Sequence, residues 1–519
     1  MTSVKRRVWF TVAMACICAV GTPLYAKEAP DYSAFSDEEL GARYEKYAKA
    51  ENPDHCNAFT PLLDEMAKRE TFQTNIENTK RFTAFRCAID QGRYKDAFAT
   101  SADVEKLMGV SFPPEFALAL AVAAEEYPTA ASRIIKMAGS TDGEAIGKLD
   151  RQLFSQLSRE LAVAKNKEMR LRMFRALADS PHFERLSPPM RSSIARETIT
   201  LDAESANFDR VKLLAGELRG PYPFLELLAN KTLEPVWPEL EEIAGPNLQK
   251  VADADVVQKE KEFSANPTDR EAFQFYAHAL HFAGKFEQAI ALVRTIDQRP
   301  KAMLKATEDD LWAMNIEAYA LDSLGRPSEA EAVFDAMAAL PFQGERKSWL
   351  VNFVINRASR LVGFGQWQKG LDASMLAHRI TEQSGSPYAK MLVRKARICA
   401  LVNLHRKAEA APWLVEAYEL REDGYATAAE AHLCAGEDDK AAAIVLEALN
   451  NPDRRDAMAQ DLQPRDFEIF YSPETLPGLR DRLRSRPEID AAFNKIARDL
   501  PDRLIPVASL RRRQIAQAK

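Results

Sequence analysis

The residues able to do chemistry are few and scattered. His278 and His281 stand three apart in a stretch of helical periodicity, so both imidazoles fall on one helix face. Two such nitrogens would bind a metal if a third ligand joined them; otherwise they are polar residues facing solvent or a groove. His432 and Cys434 supply only half a coordination shell. The adjacent carboxylates Glu241-Glu242 and Asp438-Asp439 read as solvated faces rather than as an acid–base pair. The phosphate-loop pattern G-x-x-x-x-G-K-[ST], the serine elbow G-x-S-x-G and the zinc motif H-E-x-x-H do not occur. The expectation is a non-enzyme, with no catalytic residue, cofactor or metal.

Cysteine carries the remaining chemistry. Lys5, Arg6 and Arg7 precede a largely apolar run from Val8 to Val20, and Leu24-Tyr25-Ala26 ends it, the pattern of a cleaved secretory signal over residues 1–26. Cleavage leaves Cys56, Cys87, Cys399 and Cys434. In an oxidising compartment these four allow three connectivities, and nearness in sequence favours Cys56 with Cys87 and Cys399 with Cys434. The alternative is free, buried thiols. Cys16 would permit a lipid anchor, although no Leu stands three residues before it. An uncleaved N-terminal anchor is the other rival, and Arg6-Arg7 also has a faint twin-arginine character.

The elements that position these residues are helices. In Glu271 to Pro300, Phe273, Tyr276, Ala277 and Leu280 form one apolar stripe, and Phe286, Ala289, Ile290, Val293 and Ile296 form a second. Gly284 separates them, and Pro300 ends the pair. A helix pair this short needs copies stacked beside it. The copies follow: Gly325 is 41 residues after Gly284, Gly365 and His405 come at further intervals of 40, and Gly436 after 31 more. Five positions beyond each stands Ala289, Ala330, Gly370, Ala410 or Ala441.

Here the chain resembles the tetratricopeptide repeat family. The Gly284–Phe286–Ala289 unit matches its pattern, whereas Pro327, Lys407 and Asp438 replace the expected aromatic, and the 40-residue interval exceeds the family's ~34. The resemblance covers roughly residues 260–450. It implies an all-α tetratricopeptide-like α-solenoid, a superhelix of antiparallel helix pairs whose first helices line a concave groove for a peptide. Carried onto this sequence, the groove comprises Gln274, His278, Trp312, Asn315, Tyr319, Asp322, Asn352, Ser359, Lys395 and Asn403. Trp312 and Tyr319 are its best anchors if they are exposed.

The organisation expected is a signal peptide (1–26), an irregular N-terminal helical-repeat region (27–246), the repeat array (247–452), and C-terminal capping helices with a basic tail (453–519). Ser36 and Glu39 make a capping box opening a helix through Ala48. Gly92 with Tyr94 and Ala97, and Tyr127 with Ala130 and Ile134, suggest further repeats. Gly220–Pro223 and Glu234–Pro246 read as linkers, and Arg511–Arg513 as a frayed basic end.

Removing three cations and no acid from a net charge of -6 gives -9, which disfavours nucleic acid as a partner. Mean hydropathy is -0.33, and no later apolar run is long enough to span a bilayer, so the mature chain is expected not to be membrane-spanning. The function expected is a periplasmic scaffold or adaptor binding a protein or peptide of the cell envelope. The alternatives are a periplasmic, cell-wall-acting enzyme on a helical superstructure and a lipid-anchored outer-membrane assembly factor. Lytic transglycosylases exemplify the first, but of their motifs only Glu204-Ser205 has a counterpart, without its partner.

Overall fold

A computed structural model describes residues 30–49, 55–141, 143–164, 166–344, 346–468, 470 and 475–517. The signal segment and Cys16 lie outside them. The fold is all-α, a helical-repeat solenoid. Among the described residues the sole strand-like pairing is an isolated antiparallel bridge, Asn230 to Ala497. None of their helices is long and apolar enough to cross a membrane. The chain divides into two compact units, one ending at Thr198 and one beginning at Ile199.

One turn recurs through both units. Gly284, Gly325, Gly365 and Gly436 have φ of 68°, 68°, 71° and 77°. The next residue's N–H reaches back to the carbonyl five positions earlier: Lys285 to Leu280 at 2.9 Å, Arg326 to Leu321 at 2.9 Å, Gln366 to Leu361 at 2.9 Å and Glu437 to His432 at 2.9 Å. That is the left-handed helix stop that satisfies orphan carbonyls and reverses the chain. His405 takes the same conformation, φ 59°, although it carries a Cβ. Five residues on, Ala289, Ala330, Ala410 and Ala441 are wholly buried. At Gly370 a Cβ would stand 2.6 Å from Val362 Cγ2, so the residue must be small where the second helix crosses the first.

In the first unit the predicted capping box is present. Ser36 N–H donates to Glu39 Oε2 at 2.8 Å and Glu39 N–H to Ser36 Oγ at 3.3 Å, opening the helix Asp37–Lys49. Gly92, φ 70°, joins Gln73–Asp90 to Tyr94–Met108, and Glu125, φ 64°, joins Pro114–Ala123 to Tyr127–Ala138. Cys56 and Cys87 are disulfide-bonded, with Cα atoms 5.3 Å apart, tying His55–Met66 to Gln73–Asp90.

In the second unit, Gly220–Pro223 and Glu234–Pro246 are largely helical rather than linkers. Tyr222 and Pro223 open the helix Tyr222–Ala229, and residues 234–244 fall in the 3-10 helix Lys231–Val236 and in Trp237–Ala244. Pro223 and Pro238 sit in first turns, where no N–H is required of them, and Phe224, Leu228, Trp237 and Leu240 are buried. The first helices of successive pairs, Arg270–Phe282, Glu308–Ser323, Arg346–Gly363, Pro387–Asn403 and Tyr425–Cys434, pack on one another in order. Second helices such as Phe286–Val293, Pro327–Ala338 and Trp367–Ser384 pack onto the first helices before and after them. Cys399 and Cys434 form the second disulfide, Cα–Cα 5.1 Å, between two first helices.

The second unit's end returns to its beginning. Arg498 N–H donates to Ala229 O at 2.9 Å and its Nε to Leu228 O at 2.7 Å, while its guanidinium lies 3.6 Å from the Trp237 ring centre. Arg498 and Arg503 both pair with Glu241, at 3.0 and 2.8 Å. Arg511–Arg513 is not a frayed end. It belongs to the helix Val507–Gln517, whose Ala508 is wholly buried in the core around Phe286 and Leu311, and Arg513 Nε donates to Asp466 at 2.8 Å.

Two stability predictions follow from this geometry. His405→Gly, at an exposed position, should raise stability by about 1 kcal/mol in urea denaturation by removing left-handed strain; a loss would show the strain is absent. Arg498→Ala should cost about 1–3 kcal/mol, because it takes the side-chain donor from Leu228 O, leaves Glu241 with Arg503 alone and uncovers the Trp237 ring. Arg498→Lys should recover only part, since lysine cannot stack and fork together. Full recovery by lysine would contradict the assignment.

Candidate functional site

The inner layer of first helices carries every residue that the groove reading named. The structure links many of them from helix to helix. Asp322 pairs with Arg360 in a buried two-point contact at 2.6 and 2.7 Å, and Arg360 also donates to Pro327 O at 2.9 Å. Asn356 Nδ2 donates to Asn315 Oδ1 at 3.1 Å. Lys395 pairs with Glu430 at 2.8 Å. Asn403 Nδ2 donates to Cys399 O at 2.8 Å within its own helix. Gln274, Asn352 and Ser359 are half-buried on theirs.

Trp312 and Tyr319, the best anchors on the condition that they are exposed, are half-buried. The Trp312 ring lies 4.9 Å from Phe353 and its Nε1 donates to Glu308 at 3.2 Å. Tyr319 lies against Phe334 at 6.1 Å and against Phe470 at 5.1 Å. Continuous stacking of first helices draws such large rings into the seams between neighbours, where their apolar area leaves water.

Phe470 was not foreseen. It comes from the stretch after Phe467, outside any repeat, and its ring sits among side chains of two inner helices. Its centre is 5.6 Å from Phe282, 5.9 Å from His281, 6.3 Å from His278 and 5.1 Å from Tyr319. It nevertheless remains 38% exposed. The density of aromatics at Phe467, Phe470 and Tyr471 was the available signal in the sequence. His278 and His281, predicted to share a face, do flank one feature, which is this ring. Among the described residues no group of three His, Cys, Asp or Glu side chains is arranged to hold a metal ion.

Next to this aromatic floor lies a charged patch. Asp461 and Glu468 are open to water yet enclosed by protein, and that enclosure pushes both carboxyls up to about 7. Glu430 reinforces the shift at each, while Lys395 opposes it. Burial works against the Lys395 ammonium, but Glu430, through its charge and its hydrogen bond, holds it above its ordinary range. His278 Nε2 is buried without a hydrogen-bond partner, and burial depresses the ring to about 4. The arrangement is therefore a part-exposed aromatic cluster with a charged flank. Such a surface suits an extended polypeptide, offering an apolar anchor and polar partners for its backbone.

No family model and no curated protein matches this chain.

The depressed imidazole has a pH consequence. In the unfolded chain His278 takes up a proton near 6.5, whereas in the folded protein it does so only near 4. Stability from this group is complete above the first value and is lost as pH falls toward the second, by about 1–3 kcal/mol. Asp461 and Glu468 act in the opposite sense, gaining stability as pH falls below about 7. His278→Phe should isolate the histidine component: in urea titrations at pH 7.5 and 5 the variant should lose less stability on acidification than the wild type. An equal loss would remove His278 as the cause.

Proposed function

We propose that this chain is an exported, non-catalytic scaffold of the tetratricopeptide-repeat type, binding a protein partner of the cell envelope through the inner layer of its second unit. The observation that carries this reading is the seat of Phe470. The inner layer already receives an aromatic side chain from a non-repeat stretch of the same chain and leaves it part-exposed, so the surface is suited to holding an extended segment by an aromatic anchor. The two disulfides support residence in an oxidising compartment, with the periplasm as the setting. The signal-like segment at residues 1–26 supports the same route.

The test is photo-crosslinking in cells, with the reactive residue placed at Asn352 on the inner layer or at exposed Val415 on the second helix Lys407–Glu419. One envelope protein should crosslink from Asn352 and not from Val415, and Tyr319→Ala should abolish it. Capture from Val415 alone would move the binding surface off the inner layer, and capture from neither would sink the scaffold reading.

A further inference from the structure

We infer that the slot holding Phe470 is the anchor site for the partner and that Phe470 is its resident competitor: an extended partner segment presenting an aromatic side chain displaces it. The inference rests on the scaffold reading above and names what that surface recognises.

Three observations support it. Phenylalanines that serve the core of this unit, Phe273, Phe286, Phe334 and Phe353, are at most 1% exposed, whereas Phe470 keeps 38% of its surface in water. A ring held only for stability would forfeit little-used burial at such a position, since the benefit scales with apolar area removed from water. Second, the chain leading to Phe470 is gripped through its backbone. The carbonyl of Glu468, two residues before the ring, accepts from Arg512 Nη2 at 2.6 Å and from Ser509 Oγ at 3.3 Å. Ser509 is buried in the C-terminal helix, and a main-chain carbonyl is something every partner segment possesses. Third, Phe470 does not exhaust what the slot offers. His278, whose ring meets Phe470 edge-on, keeps a buried Nε2 with no hydrogen-bond partner, a polar atom that a phenyl ring cannot satisfy.

The recognised feature is thus an aromatic side chain with a backbone carbonyl two residues before it. The resident copy is at very high effective concentration, so it weakens partner binding until a better or more concentrated segment arrives.

The experiment uses the full chain and, as probe, a fluorescein-labelled peptide with the sequence of residues 465–475, followed by fluorescence anisotropy. The peptide should bind Phe470→Ala and bind the wild type at least ten-fold more weakly. A probe with alanine in place of its Phe470 should bind neither, and adding Tyr319→Ala to the Phe470→Ala chain should abolish binding. Circular dichroism and melting establish that the variants fold. If Phe470→Ala melts early, Phe470→Leu takes its place under the same criteria. Equal affinity for wild type and variant, or no binding to a folded variant, overturns the inference. The two readings fail separately. A crosslink from Asn352 with a probe that never binds would sink the slot and spare the scaffold. Probe binding with no crosslink would sink the scaffold reading and leave the slot as a site for an aromatic segment that serves no envelope partner.

Discussion

A pair of short helices cannot bury its own apolar stripes, and this constraint governs the rest of the structure. Each pair must present its first helix to the next, so the first helices become a continuous layer and the second helices pack against it. Close approach within each pair then demands a sharp reversal and a small residue one turn and a half later. The left-handed turns at Gly284, Gly325, Gly365, His405 and Gly436 meet the first demand, and Ala289, Ala330, Gly370, Ala410 and Ala441 meet the second.

An array of this kind ordinarily leaves two raw ends. Here the second unit covers them with itself: Arg498 and Arg503 converge on Glu241, Arg498 stacks on Trp237, and Ala508 enters the core near Phe286. That return brings the stretch carrying Asp461, Glu468 and Phe470 to the inner layer. This aromatic cluster is therefore a product of closure as much as of repetition. Its aromatic floor comes from repeat residues, and its occupant comes from outside the repeats.

Polar residues of the inner layer divide by what closure and stacking leave them. Asp322, Asn315 and Lys395 are bound to neighbouring helices and serve as cross-links of the layer. A carboxylate and a guanidinium removed from water together must satisfy each other, so Asp322 and Arg360 are locked in position. Asp461 and Glu468 retain water, and with His278 they form the part of the surface whose charge responds to pH between about 4 and 7.

The sequence by itself determined the helices, their pairing from Gly284 onward and the two favoured cysteine pairs, because these depend on local periodicity, turn chemistry and short separations along the chain. It was silent at Glu125, which adopts the same left-handed turn with no glycine to mark it, and it misread Gly220–Pro223 and Glu234–Pro246, where first-turn prolines begin helices instead of interrupting them. Only the tertiary structure decided that Trp312 and Tyr319 are drawn into the seams, that Arg511–Arg513 belongs to a docked helix, and that Phe470 reaches His278. Phe470 and His278 stand nearly two hundred residues apart, and no periodicity encodes which surface a returning chain will meet. That choice is made by packing of the whole unit.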